Sequence, residues 1–308
     1  MSAGHESSAA LARGPAPFVC ALCGGTRSTP QFPGSGAASP PSPVSERYRI
    51  THSERHLVHA IVRCLDCGLV TLPTDYAPTV SYEDAADPYY LEQAPERVAN
   101  AHRLLSLLPS GGRLLEIGCA CGFLLLAARE RGFVAQGVEM SAWASAYARD
   151  TFGLDVRTGT LEAAQFASDS FDAVVLADVI EHLFDPRATL AEIRRVLKPG
   201  GRLLLLTPDV GSLMARLAGP RWWGLLDDHY FYFSRATLTR LLNEEGFTVD
   251  RLTALGRAFP LGHWVFKLAP YSRALERLAS RMVRAVGAEQ KQISINLGDQ
   301  MSCVALKR

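Results

Sequence analysis

Apolar residues follow two rhythms along the chain, and from Arg113 onward the two alternate. Short apolar runs bounded by turn residues read as buried strands: RLLEI (113–117), FVAQGVEM (133–140), AVVLAD (173–178) and RLLLLT (202–207). Between them, apolar positions recur every third or fourth residue, as on one face of a helix. The first such stretch is 92–108, with Pro95 in its opening turn and Val98, Ala101, Leu105 and Leu108 in step. A helix over 122–131 stops at Gly132, and Ser141 can cap the next one. Asp185-Pro186 opens another, with Leu190, Ile193 and Leu197 on one face and Pro199-Gly200-Gly201 as its end. A weak strand is expected near 155–158. The tail reads as a helix at 235–245, the strand FTVDRLTAL (247–255), a helical stretch around 271–286 and a last strand MSCVALK (301–307).

Strands alternating with amphipathic helices predict a doubly wound α/β fold, a mostly parallel Rossmann-like sheet covered on both faces. The closing strand pair can extend one sheet edge, in a direction that sequence does not give. The front of the chain is different. Residues 1–17, rich in Ala, Gly, Ser and Pro, read as a disordered tail. Residues 18–75 hold four cysteines in two pairs, separated by a Pro/Gly/Ser segment, 28–45, that reads as a flexible insert. The predicted organisation is therefore a tail, a small module over 18–75 and an α/β domain over 76–308.

With 48% apolar and 20% charged residues in 308, a packed core is feasible. A net charge of +1 gives no general attraction to nucleic acid, although a sum says nothing of local patches. No apolar run reaches the ~20 residues of a membrane span, and the start lacks the basic head and apolar stretch of a signal peptide. These features predict a cytoplasmic protein, in a reducing compartment where cysteines serve as metal ligands more often than as disulfides.

Cys20-Ala-Leu-Cys23-Gly and Cys64-Leu-Asp-Cys67-Gly repeat one unit, C-x-x-C-G. Two intervening residues let one tight turn present both sulfurs to a single ion, and two such turns complete a tetrahedral set of four thiolates. Four thiolates leave no open position, so the expected ion is a structural zinc in a zinc-ribbon-like module, worth on the order of 10 kcal/mol to its folding.

The other chemistry lies in Glu116-Ile-Gly118-Cys-Ala120-Cys-Gly122, at the end of the first strand of the α/β unit. Small residues at Gly118, Ala120 and Gly122 let a ligand approach the backbone at the carboxyl edge of the sheet. The dinucleotide pattern G-x-G-x-x-G fails, with Ala120 and Phe123 at its second and third glycines, and no Lys-Ser or Lys-Thr follows as in a P-loop. Glu116 would repel a pyrophosphate but suits an ammonium group. Glu139 ends the next strand, where an acid can accept both ribose hydroxyls. A ligand with those hydroxyls, a positive amino-acid end and no phosphate is S-adenosylmethionine.

Residues 113–250 accordingly resemble a class I S-adenosylmethionine-dependent methyltransferase, through LLEIGCACG, GVEMS, SFDAVVLADVIEHLFDP, LAEIRRVLKPGG and LLLLTPD. DHYFYFSRATLTRLLNEEGF, the C-x-x-C-G pairs and Tyr89-Tyr90 are similar to one bacterial branch of that family. The resemblance implies that Glu116 and Gly118 face the methionine end of the cofactor, Glu139 the ribose and Met140 the adenine. It implies backbone contact to the adenine from Thr160 and Leu161, and places Ala177 and Asp178 beside the sulfonium. His182 and His229 are the candidate general bases, if the acceptor holds a proton at neutral pH. The implied acceptor is a small molecule such as a sugar, quinone or natural-product intermediate. RNA or protein is the second class, disfavoured because Asp178-Val-Ile-Glu181 stands where amino-methylating forms carry Asn-Pro-Pro-Tyr or Asp-Pro-Pro-Tyr. A non-catalytic binding module is the third, disfavoured by intact Glu116, Gly118 and Glu139.

Overall fold

The computed structural model describes residues 17–34, 60–73, 82–226, 228–269 and 271–308. Among the described residues, the first elements are the strands β1 (Ser28–Phe32), β2 (Ile61–Cys64) and β3 (Val70–Thr71) and the helices α1 (Tyr89–Glu92) and α2 (Ala94–Leu105). Then β4 (Gly112–Ile117), α3 (Phe123–Glu130), β5 (Phe133–Glu139), α4 (Ala142–Phe152) and β6 (Asp155–Thr158) form the first half of the α/β unit. Its second half is β7 (Phe171–Ala177), a turn of 3-10 helix over Ile180–His182, α5 (Pro186–Val196) and β8 (Leu197–Pro208). There follow α6 (Leu213–Ala218), β9 (Phe231–Tyr232), α7 (Arg235–Glu244), β10 (Phe247–Ala254), β11 (Arg257–Pro260), α8 (Leu261–Phe266), α9 (Arg273–Ala285), β12 (Gln292–Ile295) and β13 (Gln300–Lys307).

Seven strands make the central sheet in the order β10-β13-β8-β7-β4-β5-β6. Strands β4 to β8 are parallel to their neighbours, while β13 runs antiparallel to both β8 and β10. The closing strands do extend the sheet edge, with β13 slotted between β8 and β10. The inner strands are buried on both faces, as a helix-covered parallel sheet requires. Their side chains divide by period two. Leu115, Val174, Leu203 and Leu205 join one core, and Leu114, Val175 and Leu204 join the other.

The predicted caps form. Ser141 Oγ accepts from Ala144 N, and Asp185 accepts from the amides of Arg187 and Ala188. One prediction is corrected at the end of α5. Strand β8 begins at Leu197, already opposite Phe171, so Pro199-Gly200-Gly201 lies within the strand. The register then jumps to Arg202 opposite Ala173. The Pro-Gly-Gly turn is a bulge that loops out between two paired stretches, because proline cannot donate to the ladder and glycine tolerates the bend.

A second correction concerns the Pro/Gly/Ser segment 28–45. Its first five residues are β1, paired antiparallel with β2 despite Pro30 and Pro33, because an edge strand tolerates proline. The rest of that segment from 35, and the expected tail but for Pro17, lie outside the described residues. Nor is the front module a separate body. Strand β9, from the far half of the chain, completes its sheet in the order β1-β2-β3-β9. Leu22, Phe32, Ile61, Leu69 and Val70 pack into the same core as Leu115 and Val174. Arg187 adds an anchor, donating to the carbonyls of Ala21 and Leu22 while pairing with Glu244 and Glu245.

Candidate functional site

The four paired cysteines come together. Cys20 Sγ lies 3.5 Å from Cys67 Sγ, Cys23 Sγ lies 3.6 Å from Cys64 Sγ, and all four sulfurs fall within 4.8 Å of one another. Sulfurs on a tetrahedral ion at about 2.3 Å stand roughly 3.8 Å apart, so the spacing suits a metal. Both turns are built alike: Gly24 N donates to Cys20 O and Gly68 N to Cys64 O, with φ of 70° and 79° at the two glycines. A side chain would strain that left-handed turn, which is why each pair ends in glycine. Gly25 N donates to Cys23 Sγ at 3.4 Å, an amide aimed at a sulfur. All seven cysteines are free thiols.

The second site forms at the carboxyl edge, where the chain leaves β4 toward β5 and β6 on one side and returns as β7 on the other. That switch point opens a crevice between strand ends. Glu116, in β4, is 4% exposed, and its Oε2 has no hydrogen-bond partner among the described residues. Burial holds its carboxyl well above the usual range, and the nearby Glu139 adds to the effect. Glu139 is also raised by burial, against the pull of the amides that it accepts. Its Oε2 takes Ala120 N and its Oε1 takes Ser141 N, both at 2.8 Å. This pins the loop after β4 to the end of β5, with Ala120 at φ +45°.

Gly118 and Gly122 line the same loop for steric reasons. A Cβ at Gly118 would meet Val179 at 2.8 Å, and one at Gly122 would meet Leu154 at 2.4 Å. Gly122 thus serves contact with the segment after α4. Cys119 and Cys121 are buried, and burial pushes Cys121 up to about 12 and Cys119 well up, so both remain inert thiols. Met140 follows Glu139 at the rim, half-buried. Past β6, Gly159 N donates to Glu139 O at 2.8 Å, Thr160 Oγ1 accepts from Ala163 N, and Leu161 is buried.

Residues 83–97 cover this loop. Ser141 Oγ donates to Ala85 O at 2.6 Å, and Ala142 N donates to Glu83 O at 3.2 Å. Tyr90 stacks on Phe123 with centroids 5.8 Å apart, and burial raises its hydroxyl to about 12. The Arg97 guanidinium sits 3.5 Å over the Tyr90 ring. One nitrogen of Arg97 donates to Gln93, while its buried Nε has no partner among the described residues. Sequence reasoning missed Arg97. The available signal was a charge on the Ala101–Leu105 face of α2, where the spacing calls for an apolar residue.

The structure does not leave Asp178 open beside Ala177, which ends β7. Arg257 and Gln300 both bond its carboxylate, at 2.5 and 2.6 Å. Arg257 lies 5.7 Å from the Trp223 ring, and Trp222 and Trp223 both donate to Asp299.

His182 and His229 meet with ring centroids 4.6 Å apart. Glu181 lies with them, and one ligand atom from each of the three falls within 4.8 Å of the others. Glu181 is 1% exposed and bonded through Oε2 to Thr207, while Oε1 has no partner among the described residues; burial pushes it up to about 7. His229 is buried, with Nδ1 2.9 Å from Gly224 O, and burial lowers it to about 3. His182 is the more open, its Nδ1 within reach of Tyr82 OH at 3.1 Å and Asp228 O at 2.9 Å.

A family profile described as a methyltransferase domain matches residues 90–252, more than half of the chain. The ubiquinone biosynthesis O-methyltransferase of Cereibacter sphaeroides is 33% identical over 119 residues, 36% of this chain and 48% of that protein. The chain thus spans about half the length of the curated relatives that it matches. A chain from a Haloferax volcanii complex of a methyltransferase with its activator superposes with a TM-score of 0.53 at 20% identity, covering 71% of this chain and 94% of that one. A SAM-dependent methyltransferase from Archaeoglobus fulgidus gives 0.50 at 18% identity, covering 72% and 100%. Both are likenesses of fold. Among the described residues, no helix is long and apolar enough to cross a membrane.

Proposed function

The chain belongs to the methyltransferase-domain family, and from that premise we propose that it moves the methyl group of S-adenosylmethionine to a hydroxyl of a small-molecule acceptor. One observation carries the cofactor reading. A buried carboxylate, Glu116, and a half-buried one, Glu139, stand at the ends of neighbouring parallel strands, and one oxygen of Glu116 has no partner among the described residues. A buried acid left open in this way suits a cation and repels a phosphate.

Glu116 would take the ammonium of the cofactor's methionine end. Arg97, with its unpaired buried Nε, would take the carboxylate of the same group. Glu139 spends one lone pair of each oxygen on a backbone amide, which leaves the others for ribose hydroxyls. Met140 would flank the adenine, with backbone contact from Thr160 and Leu161. Gly118, Ala120 and Gly122 keep the loop small enough for close approach. Ala177 and Asp178 lie toward the sulfonium, where the Asp178 carboxylate, held by Arg257 and Gln300, shapes the rim.

The cofactor supplies an already activated methyl group, so the chain has to bind, orient and exclude water. His182 is the better base of the two histidines. His229, lowered to about 3, stays a neutral imidazole that packs against it and holds protons poorly. The hydroxyl acceptor follows the relatives, which are ubiquinone biosynthesis O-methyltransferases. The four thiolates would hold one structural zinc that braces the front sheet.

Isothermal titration with S-adenosylhomocysteine and with NAD tests the cofactor assignment. Micromolar binding of the first and none of the second is expected; the reverse overturns it. Labelled S-adenosylmethionine incubated with fractionated cell extract tests the acceptor. Label in protein or nuclease-sensitive material would favour a macromolecular substrate instead.

A further inference from the structure

Helix α9 buries none of its residues. Leu275, Leu278 and Met282 in it, with Val286 just beyond, are 50%, 58%, 63% and 75% exposed. At about 100° per residue these four fall on one strip, with Ala274 and Ala285 beside them. Arg273, Arg277, Arg281 and Arg284 fall on a second strip alongside. The partly buried positions are Glu276, Ala279, Ser280 and Val283, on the remaining side. Both the apolar and the basic strip therefore face outward.

Four arginines stand against one glutamate on this helix, in a chain whose total charge is only +1. Glu276 is occupied by Ser280 Oγ at 2.8 Å, and Arg284 reaches Glu289 at 4.0 Å. Arg273, Arg277 and Arg281 have no carboxylate within salt-bridge distance among the described residues. Helix α9 also stands outside the seven-stranded sheet, on an insertion that pairs β11 with β12. That insertion is fastened near the site: Asn100 bonds Ala258 in both directions, and Arg257 holds Asp178.

We propose that α9 is an interfacial anchor for an anionic phospholipid surface. Leu275, Leu278, Met282 and Val286 would enter the headgroup–acyl boundary, and the arginine row would lie at the level of the phosphates. An apolar strip edged by cations on a helix too short to span is the pattern of such anchors. A second copy of the same helix fits worse. Antiparallel pairing of two apolar strips sets two rows of four arginines next to each other, where like charges repel, and parallel pairing leaves both rows without a counter-charge. A bilayer bearing negative lipid answers both strips at once.

Flotation of the full chain with extruded vesicles tests this. The chain should float with phosphatidylcholine vesicles containing phosphatidylglycerol, stay behind with phosphatidylcholine alone, and release as salt is raised. The double variant L278E/M282E should abolish flotation. R277Q/R281Q should weaken it about 25-fold, at roughly fivefold per arginine. Unchanged thermal midpoints would show both variants folded, as expected for exposed positions. Absence of flotation with the acidic vesicles, or flotation undiminished in L278E/M282E, overturns the proposal. So does a dimer in sedimentation that L278E/M282E disperses while vesicles are ignored, which would assign the strip to a second copy.

Discussion

The Thr71 hydroxyl donates to the backbone carbonyl of Tyr230 at 2.8 Å, so a strand of the cysteine-bearing sheet holds the peptide next to His229. The same carbonyl accepts Leu72 N at 3.1 Å, and Tyr230 N donates to Glu181 O at 2.8 Å. Through its two flanking peptides, Tyr230 thus links the front sheet, the neighbouring His229 and the segment bearing His182. The cysteine-bearing sheet therefore touches the segment that carries the imidazole pair.

Replacing Cys20 by serine is therefore expected to act twice. Metal content should fall from one zinc per chain, and the front module should lose folding free energy on the order of 10 kcal/mol. Turnover should drop more than cofactor affinity does, because Glu116 and Glu139 sit on strands that do not touch β9. Elemental analysis, calorimetry and steady-state kinetics on one preparation check all three. Wild-type protein carrying well under one zinc per chain would remove the metal from this account.

Glu116→Gln should stabilise the chain without cofactor while weakening cofactor binding. An unfolded glutamate titrates near 4.3, and burial holds Glu116 well above that in the fold. Between those two values the folded state keeps a proton that the unfolded state has lost. Stability therefore declines as pH rises through that window, and the glutamine variant escapes the decline. Denaturant unfolding should show the variant ahead at neutral pH, with the pH-dependent part of the gap closing below about pH 4. At a pH inside that window, cofactor binding to wild type should release a proton, seen as a heat that changes with buffer ionisation enthalpy.

Glu139→Ala should cost about ten- to hundred-fold in S-adenosylhomocysteine affinity, as the loss of a charged hydrogen bond. The amides of Ala120 and Ser141 lose their acceptor in the same variant. A modest fall in melting temperature should accompany the weaker binding. Calorimetric affinity equal to wild type would remove Glu139 from the ribose assignment.

Ala120→Gly removes a side chain from a left-handed backbone position. It should stabilise the loop by up to about 1 kcal/mol, offset in part by the greater freedom of glycine in the unfolded chain. Cofactor affinity should stay within a few-fold of wild type. A large loss would mean that the alanine methyl itself touches the ligand.

His182→Gln should lower kcat by roughly 10²- to 10⁴-fold, the usual contribution of a positioned base. His229 lies at about 3, so no limb of the pH–rate profile near neutrality belongs to it. An acid limb that survives unchanged in His182→Gln would place the base elsewhere.

Much of the architecture was legible in the sequence. The strand at 155–158, the helix after Ser141 and the helix opened by Asp185-Pro186 appear where apolar spacing and caps place them. Each is decided within a few residues of itself. The cysteine turns belong with them, since C-x-x-C-G dictates a local bend. The strand at 28–32 was hidden by its prolines, which read as loop until a partner strand is known. Arg257 was hidden for a similar reason, since nothing near it in sequence announces the aspartate that it meets, while Arg97 left only its charge on an apolar helix face as a sign.

Periodicity, capping and short spacings act locally, so the alternation of strands and helices, the four-thiol set and the two acids at neighbouring strand ends can be read along the chain. That β9 completes the front sheet, that Thr71 meets Tyr230 and that ligand atoms of Glu181, His182 and His229 fall within 4.8 Å of one another is settled by packing in three dimensions. Those contacts join residues far apart in the chain. Burial of apolar surface between packed layers brings them together, and no local preference specifies it.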